Sequence, residues 1–169
     1  MYEEENNCYF CYCCLLSTLI FDSYYKKTNQ IEAYRITLAS DFKQLEQVSD
    51  LIIKAKVLPD KNNKLIKDDE GVVSFGYTKT DLKVQKVFYG EVEEDGIVSI
   101  TEEYFITSNG LGKTINVQGD YIPAKVNSEY IFFLKKYDDS TKYKGMYFPV
   151  ELERGKYLVN SKITTHSID

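Results

Sequence analysis

The chain has 169 residues, a formal charge of −5 and 28% charged residues. That length favours one domain with an appendage. The acidic balance, with only Arg35 and Arg154 as arginines among 21 basic residues, argues against a general nucleic-acid binder and against bidentate phosphate recognition.

In chain order, the first distinctive stretch is CYFCYCCLLSTLIF, residues 8–21, which holds all four cysteines and no charge. About 14 residues is short for a membrane-spanning helix, which needs roughly 20, and within the length of an export signal's apolar region. The flanks are atypical, because Glu3, Glu4 and Glu5 precede the run and Lys26 and Lys27 follow it. The stretch reads as an export signal or anchor of irregular form. A buried first element, or a cluster in which Cys8, Cys11, Cys13 and Cys14 bind metal or carry acyl groups, is the alternative. Zinc sites usually pair two separated knuckles, and no distant Cys partners these four.

Residues 22–30, DSYYKKTNQ, read as a polar linker. In SDFKQLEQVSD, Ser40 is the expected N-cap, Asp41 lies in the first turn, and Phe42, Leu45 and Val48 recur at helical spacing. A short helix is expected over about residues 41–48, packed on the end of a barrel. The period then changes to two. Leu51, Ile53, Ala55 and Val57 fall on one face, with Ile52, Lys54 and Lys56 on the other, which is a half-buried strand. PDKNNK and KDDEG read as loop. FGYTKTDLKVQKVFYG is a long second strand. Leu82 and Val84 share a face, and Val87 joins them only if the parity slips, as at a β-bulge. EVEEDG is a turn, IVSITEEYFI a third strand, SNGLGK a loop and TINVQGDYIP a short strand or crossing loop. SEYIFFLKKY is an apolar strand with Tyr130, Phe132 and Leu134 on one face; MYFPVEL and KYLVNSKI supply the last strands. The fold class is mainly β, five to seven strands with one short helix. The 14% of aromatic residues, 15 Tyr and 9 Phe, suits it. The domain plan is a targeting or anchor-like segment and linker at 1–30, a β-barrel domain at 31–163 and a frayed tail at 164–169.

SDLIIKAKVL, YTKTDLKVQKVFYGE and SEYIFFLKKY together resemble the first, second and fourth strands of an OB-type Greek-key barrel. The pattern is similar to the netrin-like domain, which includes the tissue inhibitors of metalloproteinases, and to small exported proteins of Gram-positive bacteria. The resemblance spans roughly residues 42–137 and implies a barrel that binds without catalysis. The inhibitors act through a disulfide-tied N-terminal cysteine, and no cysteine stands near Asp50 here, so inhibition is not carried to any residue.

No motif implies a cofactor or an enzyme. GLGKT, residues 110–114, lacks the upstream glycine of a phosphate loop, since that position is Thr107, and no apolar helix follows it. DKNNKLIKDDEG puts Leu65 and Gly71 where a calcium loop needs Gly and Glu, leaving only Asp68, Asp69 and Glu70 as a loose carboxylate group. His166 is the only histidine and stands near the chain end. The surface of interest is basic: Lys54 and Lys56 from the first strand, Lys79 and Lys83 from the second, with Tyr77, Phe88 and Tyr89 beside them. Such a patch suits an anionic cell-wall polymer or a membrane surface, or an unknown protein, and it is poorly matched to nucleic acid. The expected function is that of an extracellular or membrane-anchored binding module. The alternatives are an intracellular (cytoplasmic) structural or regulatory domain and a protease-inhibitor-like module.

Overall fold

A computed structural model describes residues 26–31, 41–109, 112–151 and 154–159. The fold is mainly β, with one short helix and nine strands among the described residues. In chain order these are β1 (Lys26–Ile31), α1 (Phe42–Val48), β2 (Leu51–Lys67), β3 (Val73–Tyr89), β4 (Ile97–Glu102), β5 (Tyr104–Asn109), β6 (Gly112–Gln118), β7 (Glu129–Lys136), β8 (Tyr147–Pro149) and β9 (Lys156–Leu158).

Two sheets form. The larger has the order β2-β3-β4-β8-β7-β9, and β2 also pairs with β7. β8 and β9 lie one after the other along the edge of β7 that β2 leaves open, opposite Leu134–Lys136 and Tyr130–Phe132. The smaller sheet has the order β1-β6-β5.

The alternation in the sequence sets the core. Leu51, Ile53, Ala55 and Val57 of β2 meet Leu82 and Val84 of β3, Val98 and Ile100 of β4, and Tyr130, Phe132 and Leu134 of β7 in one apolar cluster. The parity slip in β3 is real. Ile53 pairs with Val87 and Lys54 with Lys86, but Ala55 pairs with Val84, so Gln85 is an extra residue and Val87 returns to the core side. The helix is also present, but Asp41 is its N-cap instead of Ser40, its carboxylate accepting from the Gln44 N–H at 2.9 Å. α1 packs outside the main core. It packs Leu45 onto the outward side chains Ile52 of β2 and Phe133 of β7 and onto Val150, just after β8, which is why Ile52 is buried although it faces away from the main core.

Four sequence expectations change. PDKNNK is strand, not loop: the β2–β3 register jumps from Val57↔Leu82 to Lys61↔Thr80, so β2 bulges over Leu58–Asp60 and resumes. The stretch is largely exposed, as its polarity suggests, but Lys61 and Asn63 have partners across the fold. The Asn63 amide, for instance, bonds both the N–H (2.7 Å) and the carbonyl (2.8 Å) of Ile106 and so acts as a rung for β5. IVSITEEYFI is two strands, because the chain leaves the larger sheet after Glu102 and enters the smaller one at Tyr104. Residues 26–30, read as linker, form β1 together with Ile31, parallel to β6 from Lys26↔Lys113 to Ile31↔Gln118. A strand with only one apolar residue has no alternation to detect; backbone pairing defines it, with the Asn29 amide donating to Asn116 Oδ1 at 3.3 Å. The strand count is accordingly nine instead of five to seven.

The long β2–β3 hairpin turns on KDDEG, as the composition indicated. The Asp68 carboxylate accepts from the N–H groups of Glu70 (3.1 Å) and Val72 (2.8 Å), and Gly71 takes φ 81°. Further along β3, Gly76 lies against the Phe105 ring, where a Cβ would come within 2.5 Å of the ring carbon Cγ. That close approach lets β5 lie across the hairpin.

Candidate functional site

The outward face of β2 and β3 carries lysines in register. Lys54 stands opposite Lys86, and Lys56 opposite Lys83, on adjacent outward-facing rungs. Lys86 is a residue that simple alternation would place inward with Leu82 and Val84. The bulge at Gln85 turns it outward, and the same slip that returns Val87 to the core was the sequence signal for it. Acidic groups temper the face. Lys54 Nζ lies 2.8 Å from Glu129, Lys83 Nζ lies 3.9 Å from the Asp95 carboxylate and also donates to the Asp95 carbonyl. The Glu129 carboxyl is held below its usual range, first by the Lys54 hydrogen bond and then by that of Gln85, whose amide donates at 2.6 Å.

The other expected residues divide between two places. Lys79 and Tyr77 lie on the same outward face of β3 but further along, roughly 20 Å from Lys83 at Tyr77. Lys79 Nζ is 3.3 Å from Asp81. Tyr77 meets Tyr143 edge-on at 5.1 Å, and Tyr143 stacks on Tyr137 at 4.6 Å, which in turn contacts Phe148 at 4.7 Å. The Tyr137 hydroxyl is 2.8 Å from that of Thr101. Burial is the main cause that pushes the Tyr137 phenol up to about 12 and raises Tyr77. Tyr77 therefore belongs to an aromatic wall with the β7–β8 connection and β8, and Lys79, four residues from Lys83 and roughly 13 Å along β3, stands apart from the two lysine rungs. Lys86 takes the place that Lys79 was expected to fill.

Tyr89 lies at the other end. It pairs with Ile52 and, with Phe42, Glu46, Phe88, Ile131 and Phe133, lines an open groove of about 420 Å³. Phe42 is fixed over this groove by edge-on contacts with Phe133 (5.3 Å) and Tyr157 (6.4 Å). The groove was not legible in the sequence, since its lining comes from α1, β2, β3 and β7.

A second group of residues that the sequence did not single out is buried where the two sheets meet. Glu102 is fully buried, and each carboxylate oxygen is held by two donors. Lys61 Nζ (2.6 Å) and the Thr80 hydroxyl (2.5 Å) bond Oε1. The Tyr121 hydroxyl (3.0 Å) and the Ala124 N–H (2.7 Å) bond Oε2. Lys61 also donates to the Ala124 carbonyl at 2.7 Å, and the Lys156 ammonium stands 3.8 Å from the Tyr121 ring centre. Burial, and then the Glu102 charge, push the Tyr121 phenol well above its usual value; burial alone raises the Glu103 carboxyl. Every bond of Glu102 ties one segment to another, so its role is to lock the β4–β5 corner to β2, β3 and the 119–128 crossing.

Other candidate chemistry is used up or lies elsewhere. Asp68 holds its own turn, and Gly112 to Thr114 run inside β6 in an antiparallel pair with β5. Among the described residues no group of three or more His, Cys, Asp or Glu side chains could hold a metal ion, and no helix is long and apolar enough to cross a membrane. Cys8, Cys11, Cys13, Cys14 and His166 lie outside the described residues. Neither a protein-family description nor a curated protein matches the sequence.

Proposed function

We propose that this chain is a non-catalytic binding module on an OB-type barrel, that it acts outside the cytoplasm, and that it contacts a phosphate-rich or otherwise anionic surface through the lysine face of β2 and β3. The barrel reading is supported by the circuit of pairings from β2 through β3, β4, β8 and β7 back to β2, in which only the β4–β8 step is parallel and rests on the single pair Ile100↔Tyr147.

The observation that carries the binding reading is the pair of rungs Lys54↔Lys86 and Lys56↔Lys83. Like charges directly opposite one another destabilise a strand pair. Two such rungs in succession repel; Glu129 beside Lys54 and Asp95 beside Lys83 offset part of that repulsion, and an anionic partner would relieve the rest. Each lysine near an anionic surface contributes about 1 kcal/mol at modest salt.

The full chain should be retained on phosphatidylglycerol vesicles, or on an anionic wall polymer, more weakly as salt rises. Replacing Lys54→Glu and Lys83→Glu together should lower retention by about tenfold or more, following from those per-lysine contributions. Unchanged retention in the double variant sinks the lysine-face reading. Export is tested separately by mass spectrometry of the native protein from cell fractions. The expected result is an N-terminally processed or envelope-associated chain, and an intact N-terminus in soluble cytosol is evidence against it.

A further inference from the structure

We infer that the anionic surface is a lipid bilayer, and that Phe42, Phe88 and Tyr89 enter its interfacial layer beside the lysine rungs. This rests on the lysine-face reading and adds to it an apolar contact that a soluble polyanion cannot use.

Three observations carry it. The first is exposure: Phe42, Phe88 and Tyr89 are 56%, 50% and 57% exposed and line one groove, the three most exposed aromatic rings among the described residues. Clustered exposed rings of this kind mark a contact surface. The second is adjacency. The Ile52↔Tyr89 rung lies on the outward face next to Lys54↔Lys86, so the apolar groove and the lysines form one continuous surface from β2 and β3. The third is the pairing of cation and ring: Lys86 Nζ stands 5.2 Å from the Phe88 ring centre. Aromatic rings at headgroup depth with lysine ammonium groups reaching the phosphates are what the bilayer interface favours. A wall polymer would engage the two lysine rungs and leave the groove empty.

The acidic groups on and around this surface set its character. Glu129 faces Lys54, Asp95 faces Lys83, Glu94 accepts from the Val87 N–H, and Glu46 stands in the groove lining. These four acidic groups match the four lysines of the rungs in number, so charge alone does not carry the contact. Vesicle binding should keep a salt-insensitive part that comes from the rings.

The chain contains no tryptophan, so Phe88→Trp creates a single reporter in the groove. With vesicles of phosphatidylcholine and phosphatidylglycerol, its emission should shift to the blue, and lipids brominated on the acyl chains should quench it. Dextran sulfate, a soluble polyanion, should bind without either change. Phe88→Ser together with Tyr89→Ser should lower vesicle retention by about tenfold or more and leave dextran sulfate binding unchanged. Vesicle binding with no blue shift and no quenching overturns the insertion and leaves the lysine face standing. Binding to neither vesicles nor dextran sulfate overturns both. Because Phe88 is half exposed and outside the core, its replacement tests contact and not folding.

Discussion

Replacing Glu102→Ala should destabilise the fold by about 3–5 kcal/mol, read as a lower midpoint in urea denaturation followed by circular dichroism. The carboxylate is fully buried and its removal leaves Lys61 with the Ala124 carbonyl as its hydrogen-bond acceptor. It also strands the Ala124 N–H and the Tyr121 and Thr80 hydroxyls. The isosteric change Glu102→Gln should not rescue the loss. Oε1 faces the Lys61 ammonium and Oε2 faces the Ala124 N–H, and both of these groups can only donate. Whichever way an amide is turned, its NH₂ meets one of them. Combining Glu102→Gln with Lys61→Met removes one of the two donors and lets the amide donate to Thr80. The double variant should therefore be more stable than Glu102→Gln alone. If it is equally unstable, the donor count is not what makes Glu102 necessary.

Alkaline pH should destabilise the protein by about 2–3 kcal/mol through Tyr137. In the folded chain this phenol is pushed up to about 12, with burial as the main cause and the Thr101 hydrogen bond acting against it. In the unfolded chain it titrates near 10. A raised folded-state value means that the fold favours the protonated phenol. The contribution is complete below about pH 10, falls as pH rises, and is gone above about pH 12. Denaturation midpoints measured across that window should decline less steeply in Tyr137→Phe than in the parent. Tyr121, raised for the same reason and by the Glu102 charge, keeps some slope in that variant. An identical decline in the two proteins would show that Tyr137 is not titrating out of a protected state.

The two predictions concern different places, and both lie away from the lysine face. Glu102 locks the corner where the chain passes from one sheet to the other, and Tyr137 belongs to the aromatic wall over β3 and β4. Loss of either should weaken the fold without removing a lysine from the proposed contact surface. A variant at Lys54 or Lys83 should do the reverse, since those ammonium groups are part-exposed and held by exposed carboxylates.

The sequence by itself determined the inward faces of β2, β3 and β7, the short helix, the KDDEG turn and even the bulge that returns Val87 to the core. All of these follow from local periods: two for a half-buried strand, near four for a helix, and a fixed chemistry for tight turns. Only the tertiary structure decided the rest. β1 has no apolar period and exists because β6 offers it a backbone edge. PDKNNK is exposed, as it reads, yet it is strand, and Lys61 reaches Glu102 while Asn63 reaches β5. Lys86 replaces Lys79 in the basic face because the pairing register, and not the order of residues along one strand, sets which lysines stand opposite one another. The groove beside it draws on four elements, with β3 and β7 far along the chain from α1 and β2. Partners chosen across the fold leave no period in the sequence: alternation marked Lys54, Lys56 and Lys83 as outward, but only the tertiary structure added Lys86, through the pairing register, and brought Phe42 beside Phe88 and Tyr89.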